Sequence, residues 1–213
     1  GLIALVLGLL FLEILIVHSK NEQQKNASNQ VQTARIMANG DLLYHDGLYM
    51  SALQSDGSYD FTENFTYVKP WLQQADLVLG DFEGTINPDY PLSGYPLFNA
   101  PQSVTAAIKD AGYDVMDLAH NHILDSGLEG AFTTSDAFKK VGIDPVGVYE
   151  KPVRDKAPLL IKNVNGIKVA ILSYAYGYNG LESNLTDKEV ADHLSNLDEK
   201  RMKAEIQRAE KEA

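Results

Sequence analysis

The chain has no cysteine among its 213 residues. That excludes disulfides, thiolate metal sites and cysteine nucleophiles, and it leaves either redox compartment open. Cations are scarce too: 18 Lys and Arg stand against 29 Asp and Glu, a net charge of −11. Gripping a phosphate backbone needs clustered Lys and Arg, so no nucleic-acid partner is expected. Also missing are a Gly-x-Ser-x-Gly elbow, a Gly-rich phosphate loop closed by Gly-Lys-Ser or Gly-Lys-Thr, and a Gly-x-Gly-x-x-Gly fingerprint. Their absence sets aside the chemistries that those loops support. Most of the negative charge reads as a solvated surface, with a part of it available for metal binding.

One long apolar run is present. Residues 1–17 (GLIALVLGLLFLEILIV) are apolar apart from Glu13, and Lys20 and Lys25 follow. A bilayer span takes roughly 20 such residues, so the run reads as a slightly short transmembrane helix. The alternatives are the core of a cleaved signal peptide, although no small-x-small pattern follows Val17, and a buried core helix. The expected organisation is an anchor over 1–18, a polar tether over 19–32 and one domain over 33–213. This implies a single-pass protein of the cell membrane whose domain is extracytoplasmic.

Beyond the tether, short apolar runs alternate with amphipathic ones. Strands are expected over 31–39, 75–79, 113–119 and 144–148. Helices are expected around Phe61 to Leu72 (limited by Pro70), over 102–111, 127–141 and 187–213. Residues 158–163 and 166–174 read as a hairpin turned at Asn165-Gly166. This order predicts an α/β layered domain with helices flanking a mixed sheet.

Three polar clusters sit where apolar runs stop: Asn39 to His45 (NGDLLYH), Gly80 to Gly84 (GDFEG) and His120 to Asp125 (HNHILD). Carboxylates, an amide and imidazoles at successive strand ends are what a protein needs to hold hard or borderline divalent metal ions. Asp41 to Asp81 is 40 residues and Asp81 to Asn121 is 40 more, an interval that suits a strand, a helix and two loops. The three clusters are therefore expected along one edge of a sheet. Carboxylates would neutralise the cations, the Asn oxygen would complete a coordination sphere without charge, and a histidine would serve a leaving oxygen. The bland readings are a strand end or helix cap for Asp41, a solvated turn for Asp81 and Glu83, a surface loop for His45, a backbone-bonded neighbour for His120 and a helix cap for Asp125.

Gly40-Asp41, ADLVLGDFEGTI (75–86), FNAP (98–101), AGYDVMDLAHNHILDSG (111–127) and SYAYGYNG (173–180) resemble the CapA-type capsule and poly-gamma-glutamate synthesis proteins. That family is similar to the calcineurin-like metallophosphoesterases, which implies a layered α/β sandwich with a dinuclear centre of manganese, iron or zinc type. The resemblance covers roughly 31–213. It implies Asp41 as a first-metal ligand, His45 as a further one, Asp81 as the bridging carboxylate, where relatives more often show Asn, and Glu83 as a ligand or loop-fixing residue. Asn121 resembles the amide ligand and His122 the catalytic histidine, with Asp125 orienting His122 or reaching a metal. The usual Asp-x-His opening is absent, since Leu43 stands two residues after Asp41. The family's later His-Trp-Gly and Gly-His-x-His segments are absent as well, so an incomplete domain is expected. The implied function is metal-dependent phosphoesterase-like chemistry in polymer biosynthesis, with an anionic cell-surface polymer or its precursor and other capsule-synthesis membrane proteins as partners. The competing class is a non-catalytic component that binds metal and polymer and assists export or anchoring.

Overall fold

A computed structural model describes residues 31–151 and 157–213. The apolar run 1–17 and most of the tether lie outside the described residues, and so does the anchor expected there. Among the described residues, no helix is long and apolar enough to cross a membrane.

Four strands pair in the order β1 (Ile36–Leu43), β2 (Leu77–Glu83), β3 (Val115–Asp117) and β4 (Asp144–Val146), every pair parallel. Parallel neighbours need crossover connections. These carry α1 (Asp46–Ser51), a 3-10 turn (Thr62–Phe65) and α2 (Lys69–Leu72) after β1, then α3 (Val104–Ala111) after β2, and α4 (Gly127–Lys140) after β3. A separate antiparallel hairpin follows, β5 (Leu160–Val164) and β6 (Ile167–Ile171). Its turn residues Asn165 and Gly166 both take positive φ, at 54° and 87°, as a tight two-residue hairpin turn requires. The chain ends in α5 (Asp187–His193) and α6 (Glu199–Glu212).

Side chains alternate across a strand, and β2 shows what each face does. Val78 and Phe82 enter a core shared with Met116 of β3, Val104 and Ile108 of α3, and Phe138 of α4. Leu77 and Leu79 face the other way, into a second cluster with Val115, Val146 and the hairpin residues Val164 and Ile171. The sheet is thus covered by helices on one face and by the hairpin on the other. The same alternation puts Asp81 and Glu83 on the face of Leu77 and Leu79, one and two steps further along.

The mixed sheet expected from the sequence is corrected: the main sheet is wholly parallel, and the antiparallel pair forms a sheet of its own. Strand β1 starts at Ile36, not Val31, and runs through Asp41; β2 likewise runs through Asp81 to Glu83. Apolar runs mark only the half of each strand that is covered, so the polar half reads as loop. The single helix expected over 187–213 is two. Thr186 and Glu189 form a capping box on α5, and the Asp198 side chain accepts from Arg201 N to cap α6. Between them the chain is extended, with Leu194 fully buried and bridged to Val148, and Asn196 bridged to Ala175. Around Pro70 the expected helix is reduced to the 3-10 turn and one turn of α-helix.

The end of β4 passes tightly against the segment after β3. Gly147 has φ +99°, and a Cβ there would lie 2.7 Å from the Ala119 nitrogen. Gly142 also has positive φ, +77°, but with nothing within 4 Å. In urea unfolding, Gly142→Ala is expected to cost about 1 kcal/mol of backbone strain, and Gly147→Ala about 3 kcal/mol or more, since overpacking adds to strain. Equal losses would show that the Ala119 contact is not a tight one.

Candidate metal centre

Register brings the acidic residues together. In β1–β2 the Cα partner of Asp41 is Asp81, and in β2–β3 the partner of Asp81 is Asp117. Partners in a parallel ladder share a face, and neighbouring strands lie about 4.8 Å apart. A register shift between Ala38 and Asp41 is what brings Asp41 level with Asp81. Three aspartates therefore form a row across the carboxyl ends of the strands, where open α/β sheets place their ligand sites. Glu83, two residues beyond Asp81, extends the row on the same face.

The row is electrostatically tense. Burial, then the charges of Asp117 and Asp41, push the Asp81 carboxyl up to about 7. Glu83 is raised as well, by burial first and then by its hydrogen bond with Asp41. Asp41 thus lies within side-chain hydrogen-bonding reach of both Asp81 and Glu83, which takes a shared proton or a cation between them. Burial also raises Asp117, against the hydrogen bonds from Ser173 Oγ and the Ala119 N–H that favour its charged form. Asp81 Oδ1 is buried without a hydrogen-bond partner. Hard oxygen donors that repel one another, one of them unsatisfied, fit a divalent cation. No group of three or more His, Asp or Glu among the described residues is closed around a metal position, so the carboxylates would have to draw inward to hold one.

His122 stands beside this row. Its Nε2 is 3.8 Å from Glu83 Oε1, and its Nδ1 is 2.7 Å from Asp125 Oδ2. Asp125 Oδ2 also accepts the Phe98 N–H at 2.6 Å. These bonds oppose the burial that raises the Asp125 pKa. An ionised Asp125 accepts a hydrogen bond from Nδ1–H, which leaves Nε2 as the ring nitrogen toward Glu83. Phe98 packs edge-on against the imidazole at 4.8 Å. Its loop is fixed by the buried Asn99, whose Nδ2 donates to the carbonyls of Asn87, Tyr90 and Pro91 while its Oδ1 accepts from Asn87 N.

The other expected residues are placed differently. Asn121 is exposed, and its Nδ2 donates to Asn179 Oδ1 at 3.2 Å. His45 engages its neighbour Asp46 and packs edge-on against Phe98 at 5.6 Å; among the described residues it has no hydrogen bond to Asp41, Asp81 or Glu83. His120 is only 7% exposed, and its Nδ1 accepts the His122 N–H. Burial first, then His122, holds its pKa down at about 3, with the Phe82 backbone and Asp41 opposing; it stays neutral.

Sequence reasoning missed Asp117, Asn179 and the supporting Phe98. Asp117 did leave a signal, as an acid between the apolar pairs Val115-Met116 and Leu118-Ala119. Asn179 left one in its Asn-Gly dipeptide, and it takes a left-handed φ of 56°.

Residues 35–213 match the family described as "Bacterial capsule synthesis protein PGA_cap". A capsule biosynthesis protein CapA of Bacillus anthracis is 34% identical over 115 residues, covering 52% of this chain and 28% of that relative. A PGA biosynthesis protein CapA of Bacillus subtilis (strain 168) is 26% identical over 175 residues, 81% of this chain and 44% of that protein. An uncharacterized protein, y4sH, of Sinorhizobium fredii is 28% identical over 160 residues, 71% of this chain and 32% of its own length. The chain spans less than half the length of each of these relatives. With 35–213 matched across the parallel sheet and all three polar clusters, the chain belongs to the bacterial capsule synthesis protein family PGA_cap.

Proposed function

We propose that this chain works in capsule or poly-gamma-glutamate biosynthesis, as a membrane-anchored, extracytoplasmic domain with a metal-dependent phosphoesterase-like site. The polymer assignment draws on the names of the two CapA relatives, and the anchor on the apolar run 1–17. The observation that carries the chemistry is the in-register pair Asp41 and Asp81, with Glu83 on one side and an Asp125-held His122 facing it.

In this reading Asp41, Asp81 and Glu83 hold two divalent cations of manganese, iron or zinc type. Asn121 and His45 join as ligands on turning from Asn179 and Asp46. Bound cations supply a bound water of lowered pKa and neutralise charge on the attacked phosphoryl group. The chain's own residues do the rest. His122, when protonated, passes its Nε2 proton to the leaving oxygen and returns to the neutral ring. Asp125 keeps the Nδ1 proton in place and stabilises the charged ring beforehand. Phe98 walls off one side of the imidazole from water. The partners are an anionic cell-surface polymer or its precursor, and other membrane proteins of the same synthesis. A second reading is a non-catalytic component that binds cation and polymer during export or anchoring.

Hydrolysis of bis(p-nitrophenyl) phosphate with added manganese tests the enzymatic reading. Asp81→Ala and His122→Ala are each expected to lower turnover by about 100-fold or more. Activity untouched by both substitutions sinks that reading, and manganese binding without turnover leaves the second. A pH series gives an independent check. Because the folded pKa of Asp81 is raised above its unfolded value, its contribution to stability is fully present below about pH 4 and is lost as pH rises through about 7. The Tm of the metal-free protein is therefore expected to fall between pH 5 and pH 8, less so in Asp81→Asn. Manganese should restore the wild-type Tm at pH 8, since metal binding displaces that proton. A wild-type Tm that follows Asp81→Asn at every pH would refute the shared-proton picture.

A further inference from the structure

A cleft of about 570 Å³ opens beside His122, between the His120–Asn121 turn and the loop 174–182. That volume falls in the range of small-molecule sites. The loop is tied down at two points, one of them the Asp117 end of the acidic row. Ser173 Oγ donates to Asp117, and Asn179 Oδ1 accepts from Asn121. Asn179 Nδ2 lies 3.4 and 3.5 Å from the two ring nitrogens of His122, so it sits across the ring instead of in line with either nitrogen. Asn179 takes a left-handed φ of 56° and Gly180 one of 81°, an Asn-Gly turn that presents the Asn179 side chain to the imidazole. At the rim Tyr176 is 94% exposed, its ring offered to solvent.

The lining decides what fits. Among the described residues that form this cleft there is no Lys or Arg, and the one carboxylate is Glu182, whose Oε2 is buried without a hydrogen-bond partner. The rest is amide, tyrosine, alanine and glycine, with the buried neutral imidazole of His120. An anionic group would enter against Glu182 and the nearby aspartate row with no cation from the protein to offset them. A neutral group rich in hydroxyls finds the opposite: amide and carboxylate acceptors, and a tyrosine face for its apolar side.

Resting on the phosphoesterase reading, we infer that this cleft is the leaving-group subsite, built for a neutral, hydroxyl-bearing group, with Asn179 positioning it against His122. The anionic part of the substrate then lies over the carboxylate row and its cations. The scissile P–O bond would fall between the two: as water oxygen bonds to phosphorus and gives up a proton to solvent, that bond breaks, and the departing alkoxide oxygen takes the His122 Nε2 proton and leaves as a neutral alcohol.

Saturation-transfer NMR on the full chain, without metal, tests the subsite apart from the chemistry. Methyl glucoside is the neutral probe and glutarate the anionic one. Saturation is expected on methyl glucoside with wild type and with Asp81→Ala, at least fivefold weaker with Tyr176→Ala and with Asn179→Gly, and absent on glutarate. Tyr176 is solvent-exposed, and glycine keeps the left-handed backbone, so both variants retain the fold. Equal signals in the variants and wild type, no signal in wild type, or a stronger response from glutarate would each overturn the inference. Methyl glucoside binding together with a failed turnover assay would refute the phosphoester reading and leave the neutral-group cleft standing.

Discussion

Parallel pairing of three strands is the constraint from which the rest follows. Main-chain hydrogen bonds set Asp41, Asp81 and Asp117 level with one another, and no side-chain attraction could hold three acids so close. Their mutual repulsion is a cost carried by the fold and covered by the two apolar clusters on either side of the sheet. Such a site is assembled by backbone and core, and its side chains are left with unspent electrostatic potential. That is the condition in which a cation binds with most effect.

The histidine side of the centre is held in a different way. Asp125 spends one oxygen on both the His122 ring and the Phe98 amide, so imidazole, carboxylate and aromatic wall are positioned by a single atom. Ser126 next to it donates to Thr85, and Thr134 of α4 accepts the Ile86 N–H. The turn after β3, the loop after β2 and helix α4 are thereby locked together beneath the imidazole. A buried polar network of this kind fixes geometry, here with Asp125 Oδ1 left buried without a hydrogen-bond partner.

Much of this was legible in the sequence, for identifiable reasons. Asp41 and Asp81 announced themselves because each follows a glycine at the end of an apolar run. Asn165-Gly166 announced the hairpin because few dipeptides tolerate two positive φ angles. The wholly parallel pairing of the main sheet was not legible, because strands as short as Val115–Asp117 and Asp144–Val146 carry no pairing preference of their own. Asp117 was hidden by its neighbours, since either acid of YDVMDLA looks like a solvated strand position until register sets Asp117 beside Asp81. The break between α5 and α6 was hidden for the opposite reason. Leu194, Leu197, Met202 and Ile206 keep helical spacing through it, and the bridges of Leu194 to Val148 and Asn196 to Ala175 show that the chain is pulled straight there.

Asn99 grips the loop 87–91 through main-chain atoms, the carbonyls of Asn87, Tyr90 and Pro91 and the amide of Asn87, while Thr85 Oγ1 donates to its Oδ1 from the strand side. Nothing in that grip depends on which side chains the loop displays, and Tyr90 and Tyr95 on it point to solvent. The arrangement divides labour between a hinge that must not vary and a rim that is free to. Substitutions at Tyr90 and Tyr95 can therefore reshape this edge while the imidazole beneath keeps its aim.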